Sequence, residues 1–404
     1  MWQPGQPRWA FRRVSSNQRV SESTNQRRVI PAQAGIQLVS ECEMSSIKVA
    51  FVMEQHLGHR TFYQNLRSFI AHDRSIAPTW IEVNYAPLNN LLEKLPLPGS
   101  IRGALRGRAQ VRHGLAHARC DVAFFNTQVP AALGGSMTKR QPYVISTDIT
   151  PRQYDVIGQH YGHRADRGGP LAAYKHRTNV TLLRGATKVL PWSTWTRESL
   201  IANYGVSVDR IEVLPPGVDT DRWQPTSRSA HGPLKILFVG GDLQRKGGET
   251  LLAAFRSLPP GKAELHLVTR TPAPSGDNIR TYHGLQPNQA ELIAIYQQCD
   301  VFVLPTEAEA FGIAAIEASA VGMPVIATAV GGLTDIVIDG QTGYVIKPGD
   351  IRTLADRLQS LIAQPALRQQ LGQAARERAV SRFDARANAQ RIAHLLSETV
   401  SQLR

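Results

Sequence analysis

The chain has 404 residues, 42% hydrophobic and 19% charged, the scale and balance of a folded protein of two domains rather than one core. Nowhere do eighteen apolar residues run together, which excludes a membrane-spanning helix of the usual length. Cys42, Cys120 and Cys299 lie far apart, excluding a disulfide framework and a cysteine-based metal site and fitting a reduced, cytoplasmic setting, while a net charge of +14 favours anionic partners: nucleic acid, nucleotide phosphates or an acidic membrane surface.

Residues 1–43 are rich in Arg, Ser, Gln and Asn with no sustained apolar period, and no apolar segment follows to make a signal peptide. They are read as a disordered, non-native extension, with Met44 the sensible start. Ile47–Met53 is a strand, and Phe62, Leu66, Phe69 and Ile70 then recur at helical spacing. Gly58 and His59 occupy the turn between the two, a common place to hold phosphate or sugar groups. A short strand at Trp80–Val83 precedes the helix Ile101–Arg119, which carries Arg102, Arg106, Arg108, Arg112 and Arg119 without an acidic residue. That face is either solvated or turned to an anionic acceptor or lipid headgroup. Strands follow at Asp121–Asn126 and Tyr143–Thr147. A loop holding Asp148, Asp155, His160, Tyr161 and His163 leads to a helix near Tyr174–Arg184 and a strand at Lys188–Pro191. Ser193 is placed to cap a helix reaching Tyr204. A strand at Ile211–Leu214 enters the turn Pro215–Asp219, and the polar stretch behind it holds the domain boundary, at 225/226.

The second half alternates more cleanly. Strand Leu234–Val239 enters a glycine-rich turn, GGDLQRKGG, before the helix Glu249–Leu258. Strand Glu264–Thr269, helix Asn288–Cys299 and strand Val301–Leu304 follow. An acidic loop, Thr306–Phe311, then leads to a short helix from Gly312, a strand at Val325–Ala327 and a helix at Leu333–Ile338. A turn with a short strand (DGQTGYVI) and helices at Ile351–Ala363 and Pro365–Arg382 close the domain, and Asp384–Leu403 is a last long helix. Strands alternating with helices predict an α/β chain with two parallel sheets, whose ligands sit at the carboxyl ends of the strands.

Three clusters carry chemistry. Glu309 and Glu317 have seven residues between them. On one continuous helix they would lie about 12 Å apart along the axis and roughly 80° around it. That is poor geometry for a paired acid and base, which stand roughly 5–9 Å apart across one bond. It suits two anchors gripping opposite ends of an elongated ligand; the competing reading is a solvated loop glutamate beside an ordinary helix-face glutamate. Arg245 and Lys246 lie between a strand and a helix N-terminus, where two cations suit a diphosphate or simply form a basic surface turn. Asp219-Thr220-Asp221 has the Asp-x-Asp spelling of some metal sites but falls in the inter-domain turn, and with HExxH missing no metal is expected. Walker-type GxxxxGK[ST] and GxSxG elements are absent as well.

From about Met44 onward the chain resembles the GT-B glycosyltransferases of family 4, the group 1 glycosyl transferases, of the retaining type. Glu309-Ala310-Phe311-Gly312 with Glu317, followed by Gly322-Met323-Pro324-Val325, matches that family's E-x7-E signature and its G-x-P-V. Pro215–Asp219, Lys246-Gly247, Gly331-Gly332 with Asp335, and Gly340, Thr342 and Gly343 fit as well. The resemblance implies two facing Rossmann-like domains: 44–225 binding the acceptor, 226–383 binding a nucleotide sugar, and 384–404 crossing back onto the first. It implies that Glu309 and the backbone of Ala310, Phe311 and Gly312 hold the donor sugar, and that Glu317 accepts from the ribose hydroxyls. Arg245 and Lys246 would neutralise the diphosphate beside Gly240 and Gly241, with Gly58 and His59 on the acceptor side. Two positions depart from the family pattern: Gly241 stands where an Arg usually follows the first Gly, and Thr147-Asp148 where many members have His-Asp.

The expected function is transfer of a sugar from a nucleotide sugar to an acceptor hydroxyl, with retention, Glu309, Arg245, Lys246 and Asp148 carrying the chemistry and no metal or other cofactor. Contact with the inner face of an anionic membrane through the Arg102–Arg119 helix would account for part of the basic charge. Open alternatives are a GT-B protein that binds sugar nucleotides without transfer, an epimerase, and a basic nucleic-acid-binding protein. The Arg-rich helix lacks the interleaved aromatics of the last, so nucleic acid is not the expected partner.

Overall fold

The computed structural model describes residues 46–402 apart from 88–92, 94–95, 164, 166–167 and 229–231. The reading of residues 1–43 as an extension, and the end of the last helix at Leu403, lie outside the described residues. From Ile47 onward the short apolar runs become parallel strands. β1 (Ile47–Glu54) is buried at every position except Lys48, as a strand covered on both faces must be. After it come α1 (Leu57–Ile70), β2 (Ile76–Val83), α2 (Gly99–His117), β3 (Val122–Phe125), α3 (Gln128–Gly134) and β4 (Tyr143–Thr147). Then follow α4 (Pro151–Ile157), α5 (Pro170–Gly185), β5 (Lys188–Pro191) and α6 (Thr194–Tyr204). The strands pair in parallel in the order β2-β1-β3-β4-β5.

A second sheet starts with β6 (Leu234–Val239), α7 (Gly248–Arg256), β7 (Ala263–Val268), β8 (Ile279–Tyr282) and α8 (Ala290–Gln298). It continues through β9 (Val301–Leu304), α9 (Ile313–Ala320), β10 (Val325–Thr328), α10 (Leu333–Ile336) and β11 (Gly343–Ile346) to α11 (Ile351–Ala363), α12 (Pro365–Arg382) and α13 (Ala385–Ser401). Its strands are also parallel, in the order β11-β10-β9-β6-β7-β8. Strand order reverses between β6 and β9, and in the first sheet between β1 and β3. Loops leaving the carboxyl ends of such neighbours diverge, and the crevice they leave is where open α/β sheets bind ligands.

Three sequence expectations need correction. Ile211–Leu214 is not a ladder strand: it makes a single parallel bridge from Ile211 to Val189 and runs along β5 through Glu212 N–H to Val189 O (3.1 Å) and Leu214 N–H to Pro191 O (2.9 Å). Pro215 and Pro216 follow at once and donate no backbone hydrogen bond to extend it. The loop after Asp148 contains α4, announced by a Thr150–Gln153 capping box and Pro151 at its first turn. β8 was missed because Ile279–Tyr282 is an edge strand with no fully buried residue, so it lacks the apolar run that marked the others.

α13 packs against α1 and the first sheet, so the chain crosses back after α12. The crossing is pinned to the Pro215–Asp219 turn: Val218 N–H donates to Phe383 O and Ala385 N–H to Val218 O, each at 2.9 Å. Asp384 caps α13 by accepting from Ala387 N–H (2.8 Å) and also accepts from the Thr220 hydroxyl. Arg376 of α12 donates to the carbonyls of Trp223, Ala320 and Thr220, holding the fully buried Trp223 beside the crossing. Asp384→Ala removes the cap and leaves Thr220 without its acceptor, so the urea midpoint should fall by the equivalent of about 1–2 kcal/mol. An unchanged midpoint would show that the crossing is held elsewhere.

Candidate functional site

The two loops that diverge at the second sheet's reversal are the glycine-rich turn after β6 and the acidic loop after β9, and they meet directly. Lys246 Nζ forms an ion pair with the Glu309 carboxylate, with the two side chains only 14% and 12% exposed. Gly247 makes the approach possible: at φ +80° it adopts a left-handed conformation, and a Cβ there would lie 1.9 Å from Pro305 O. Gly312, at φ +108°, turns the acidic loop into α9, whose N-terminus has no side-chain cap and no acidic residue in its first turn. Its first amides are therefore available to an anion. Arg245 has its own N–H tied to Asp242 Oδ1 (3.1 Å), and its guanidinium lies over the Tyr161 ring, 4.3 Å from the centroid.

Glu317 sits one turn into α9 and is buried. Its carboxylate accepts from the Tyr296 hydroxyl (2.9 Å). Burial pushes the carboxyl up to about 7, and the Tyr296 hydrogen bond opposes the shift only in part. Gly240 and Gly241 line the turn beneath: a Cβ on Gly240 would lie 3.0 Å from Lys246 Cγ, and one on Gly241 2.6 Å from the Arg270 guanidinium.

Facing these groups, the first sheet contributes a second cluster at its strand ends. His59 Nε2 is 3.5 Å from Asp148 Oδ1, and the His59 ring lies 5.1 Å from that of Trp192. Burial lowers the His59 pKa, but the Asp148 charge and hydrogen bond, joined by the Glu54 charge, more than offset it and the net shift is upward. Among the described residues, His59 Nδ1 is buried without a partner. Glu54, at the end of β1, exchanges hydrogen bonds with Asn126 across the reversal between β1 and β3, through Glu54 N–H to Asn126 Oδ1 (2.8 Å) and Asn126 Nδ2 to Glu54 O (3.0 Å). Its carboxylate accepts from the Tyr85 hydroxyl (2.9 Å).

The two clusters are in contact. Trp192 meets Phe311 edge-on (5.8 Å), Gly58 packs near Ile313, and the Tyr161 hydroxyl donates to Ala308 O (3.4 Å). Burial raises the Tyr161 pKa, with Glu309 and Asp148 adding to the shift and Arg245 opposing it, which places the phenol among groups from both sides. His160 Nδ1 reaches Glu307 Oε2 (3.3 Å), whereas His163 pairs with Asp155 (2.8 Å) within its own loop. Asp335 of α10 accepts from the backbone N–H and hydroxyl of Thr194, each at 2.5 Å, and so supplies a carboxylate to the N-terminus of α6 from the opposite domain.

Two expectations shrink. The Asp219–Asp221 pair has structural work: Asp219 Oδ1 caps its own turn, accepting from Asp221 and Arg222 N–H, and Asp221 pairs with Arg386. On α2, Arg106 pairs with Glu93 and Arg102 donates to Leu97 O, leaving Arg108 as its exposed arginine; α2 ends at His117, so Arg119, also exposed, lies beyond the helix the sequence reading extended to it. Four participants lay outside the sequence-derived site: Glu54, Trp192, Tyr296 and Arg270. Glu54 and Trp192 directly follow apolar strand residues, the position that marked Asp148. Arg270 directly follows the predicted strand Glu264–Thr269 and carried the same signal, whereas Tyr296, inside α8, carried none of that kind.

Comparison with known proteins follows the same lines. Residues 276–378 match the model of the family described as glycosyl transferases group 1, and residues 73–222 that of glycosyltransferase family 4. A D-inositol 3-phosphate glycosyltransferase of Arthrobacter sp. (strain FB24) is 33% identical over 220 residues, 48% of this chain and 52% of the relative. A glycogen synthase of Mycobacterium tuberculosis is 31% identical over 234 residues, 54% of this chain and 55% of the relative. These matches span about half the length of the curated relatives. Among solved structures, sucrose-phosphate synthase of Thermosynechococcus elongatus superposes with a TM-score of 0.71 at 20% identity, covering 88% of this chain and all of that one (100%). Anabaena Alr3699/HepE, solved with UDP and glucose, gives 0.64 at 18% identity over 87% of this chain and 99% of that one. The arrangement is the GT-B fold.

Two outcomes test this geometry. Asp335→Ala removes the only bridge described above that carries a carboxylate to a helix end of the other domain, so the domains should part more readily. Small-angle scattering should show a larger radius of gyration than the parent chain. Glu317 sits above its ordinary value of 4.5 at about 7, so the fold bears the cost of its charge only as the pH rises through 7 and is free of it below 4.5. Glu317→Gln should therefore raise thermal stability at pH 8, by on the order of 2–3 kcal/mol, with the gap closing toward pH 5. A pH-independent gap would place the carboxylate in a wetter setting.

Proposed function

The chain belongs to the group 1, or family 4, glycosyltransferases, and from that premise we propose that it transfers a glycosyl unit from a nucleotide sugar to an acceptor hydroxyl with retention at the anomeric carbon. The observation that carries the reading is the Lys246–Glu309 pair at the reversal between β6 and β9, beside the uncapped N-terminus of α9. In the structure the two charges neutralise each other. An arriving donor splits the pair: its diphosphate takes Lys246 and the amides of Ala310, Phe311, Gly312 and α9, and its sugar hydroxyls take Glu309. Glu317, with Tyr296 on one oxygen, receives the ribose hydroxyls. UDP bound to Anabaena Alr3699/HepE supports a nucleoside diphosphate as the donor's leaving group.

The acceptor approaches past Gly58 and His59. Its oxygen bonds to the anomeric carbon on the face from which the diphosphate leaves, the bond from that carbon to the phosphate oxygen breaks, and the acceptor proton passes to the departing phosphate. This front-face course suits a site whose carboxylates already serve partners: Glu309 with the donor sugar's hydroxyls, Glu317 with Tyr296 and Asp148 with His59. Lys246 and Arg245 meet the charge that develops on the leaving group, the point at which electrostatic catalysis acts, and we assign no metal to that task. Arg108 on α2 and Arg119 just beyond it suit an anionic acceptor or the anionic surface that carries it.

With a panel of sugar nucleotides and acceptors, Glu309→Gln and Lys246→Ala should each lower turnover by two or more orders of magnitude while keeping the parent's circular dichroism. Near-parental turnover in both defeats the assignment, and tight nucleotide binding by the parent without any turnover favours a binding protein. Turnover should survive EDTA, and NMR of the product should show the donor's anomeric configuration.

A further inference from the structure

Arg270 stands at the carboxyl end of β7, exposed, and among the described residues no hydrogen bond or ion pair engages its guanidinium. Its guanidinium nevertheless lies against the turn after β6. A Cβ built on Gly241 would lie 2.6 Å from Arg270 Nη2, 2.8 Å from Nε and 3.0 Å from Cζ, so the guanidinium rests on the backbone of the turn where a side chain of residue 241 would stand. The same construction on Gly240 meets Lys246 Cγ at 3.0 Å, so consecutive glycines of one turn seat two cations.

The base under Arg270 is braced on both sides. Thr271 Oγ1 accepts from Leu243 N–H (3.0 Å), tying the end of β7 to the turn after β6. Thr269 Oγ1 accepts from Thr271 N–H (3.3 Å), and Thr269 O lies 2.8 Å from His283 Nδ1 on the β8 side. The braced backbone sets where the guanidinium can reach, and its planar fork matches phosphate oxygens. Arg245, the cation expected for this role from the sequence, has its guanidinium over Tyr161.

We propose that Arg270 binds the diphosphate of the donor from the β7 side of the turn, with Gly241 kept small to seat it. The proposal rests on the nucleotide-sugar reading above, and the experiment separates the two. Calorimetric titration of the full chain with UDP, GDP and ADP, and with uridine, guanosine and adenosine, should identify a preferred nucleoside diphosphate. For that ligand Arg270→Ala should weaken binding at least tenfold and flatten its salt dependence, while binding of the matching nucleoside stays within twofold. Arg270→Lys, which keeps the charge and loses the fork, should fall between. The double variant Gly241→Arg with Arg270→Gly, returning a guanidinium to the same place from the other side, should recover most of the lost affinity. Arg270→Ala with unchanged affinity for the diphosphate overturns the proposal and leaves the nucleotide reading standing, and so does an equal loss for nucleoside and diphosphate. A parent chain that binds none of the three diphosphates overturns both.

Discussion

A lysine and a glutamate, both largely withdrawn from water, hold together the two loops on which this site is built. Lys246 leaves the end of β6 and Glu309 the end of β9, the two neighbouring strands at which the order of the second sheet reverses. Neither charge would tolerate that burial alone, since an unpaired ion in such a setting costs several kcal/mol. Their pairing offsets that cost and sets one positive and one negative group side by side at the strand reversal. Gly247, pressed against Pro305 O, is the backbone condition for that meeting.

Around the pair, the site is closed by contacts between the two domains. Trp192 against Phe311, Tyr161 over Arg245 and Thr194 on Asp335 bring the first sheet's strand ends onto the second's. The His59–Asp148 pair and the Lys246–Glu309 pair thereby flank one cleft, with Tyr161 influenced by carboxylates of both. The α13 crossing keeps the two halves on a short tether.

Much of the fold was legible because parallel strands buried on both faces must be continuous apolar runs. Val301–Leu304 and Tyr143–Thr147 appear at the residues their composition predicts, and Ser193 caps α6 as a serine before a helical period should. Legibility failed where burial is one-sided or capping substitutes for apolar period. β8 is an edge strand with no fully buried residue, and α4 is marked by Thr150, Pro151 and Gln153 rather than by an apolar stripe.

For the site, the amino-acid sequence by itself determined which loops matter, because a residue directly after a buried strand is delivered to the carboxyl edge of its sheet whatever else happens. Asp148 holds that position directly, Lys246 and Glu309 lie in the loops that leave β6 and β9, and His59 falls in the first turn of α1 beyond β1. Only the tertiary structure decided whom they meet. Lys246 lies sixty-three positions from Glu309, and Arg270 reaches the vacant side of Gly241 from a neighbouring strand. The contacts of Thr194 with Asp335 and of Glu54 with Tyr85 likewise join distant positions. Such pairings follow from strand order and domain closure, and neither leaves a local pattern in the residues that it brings together.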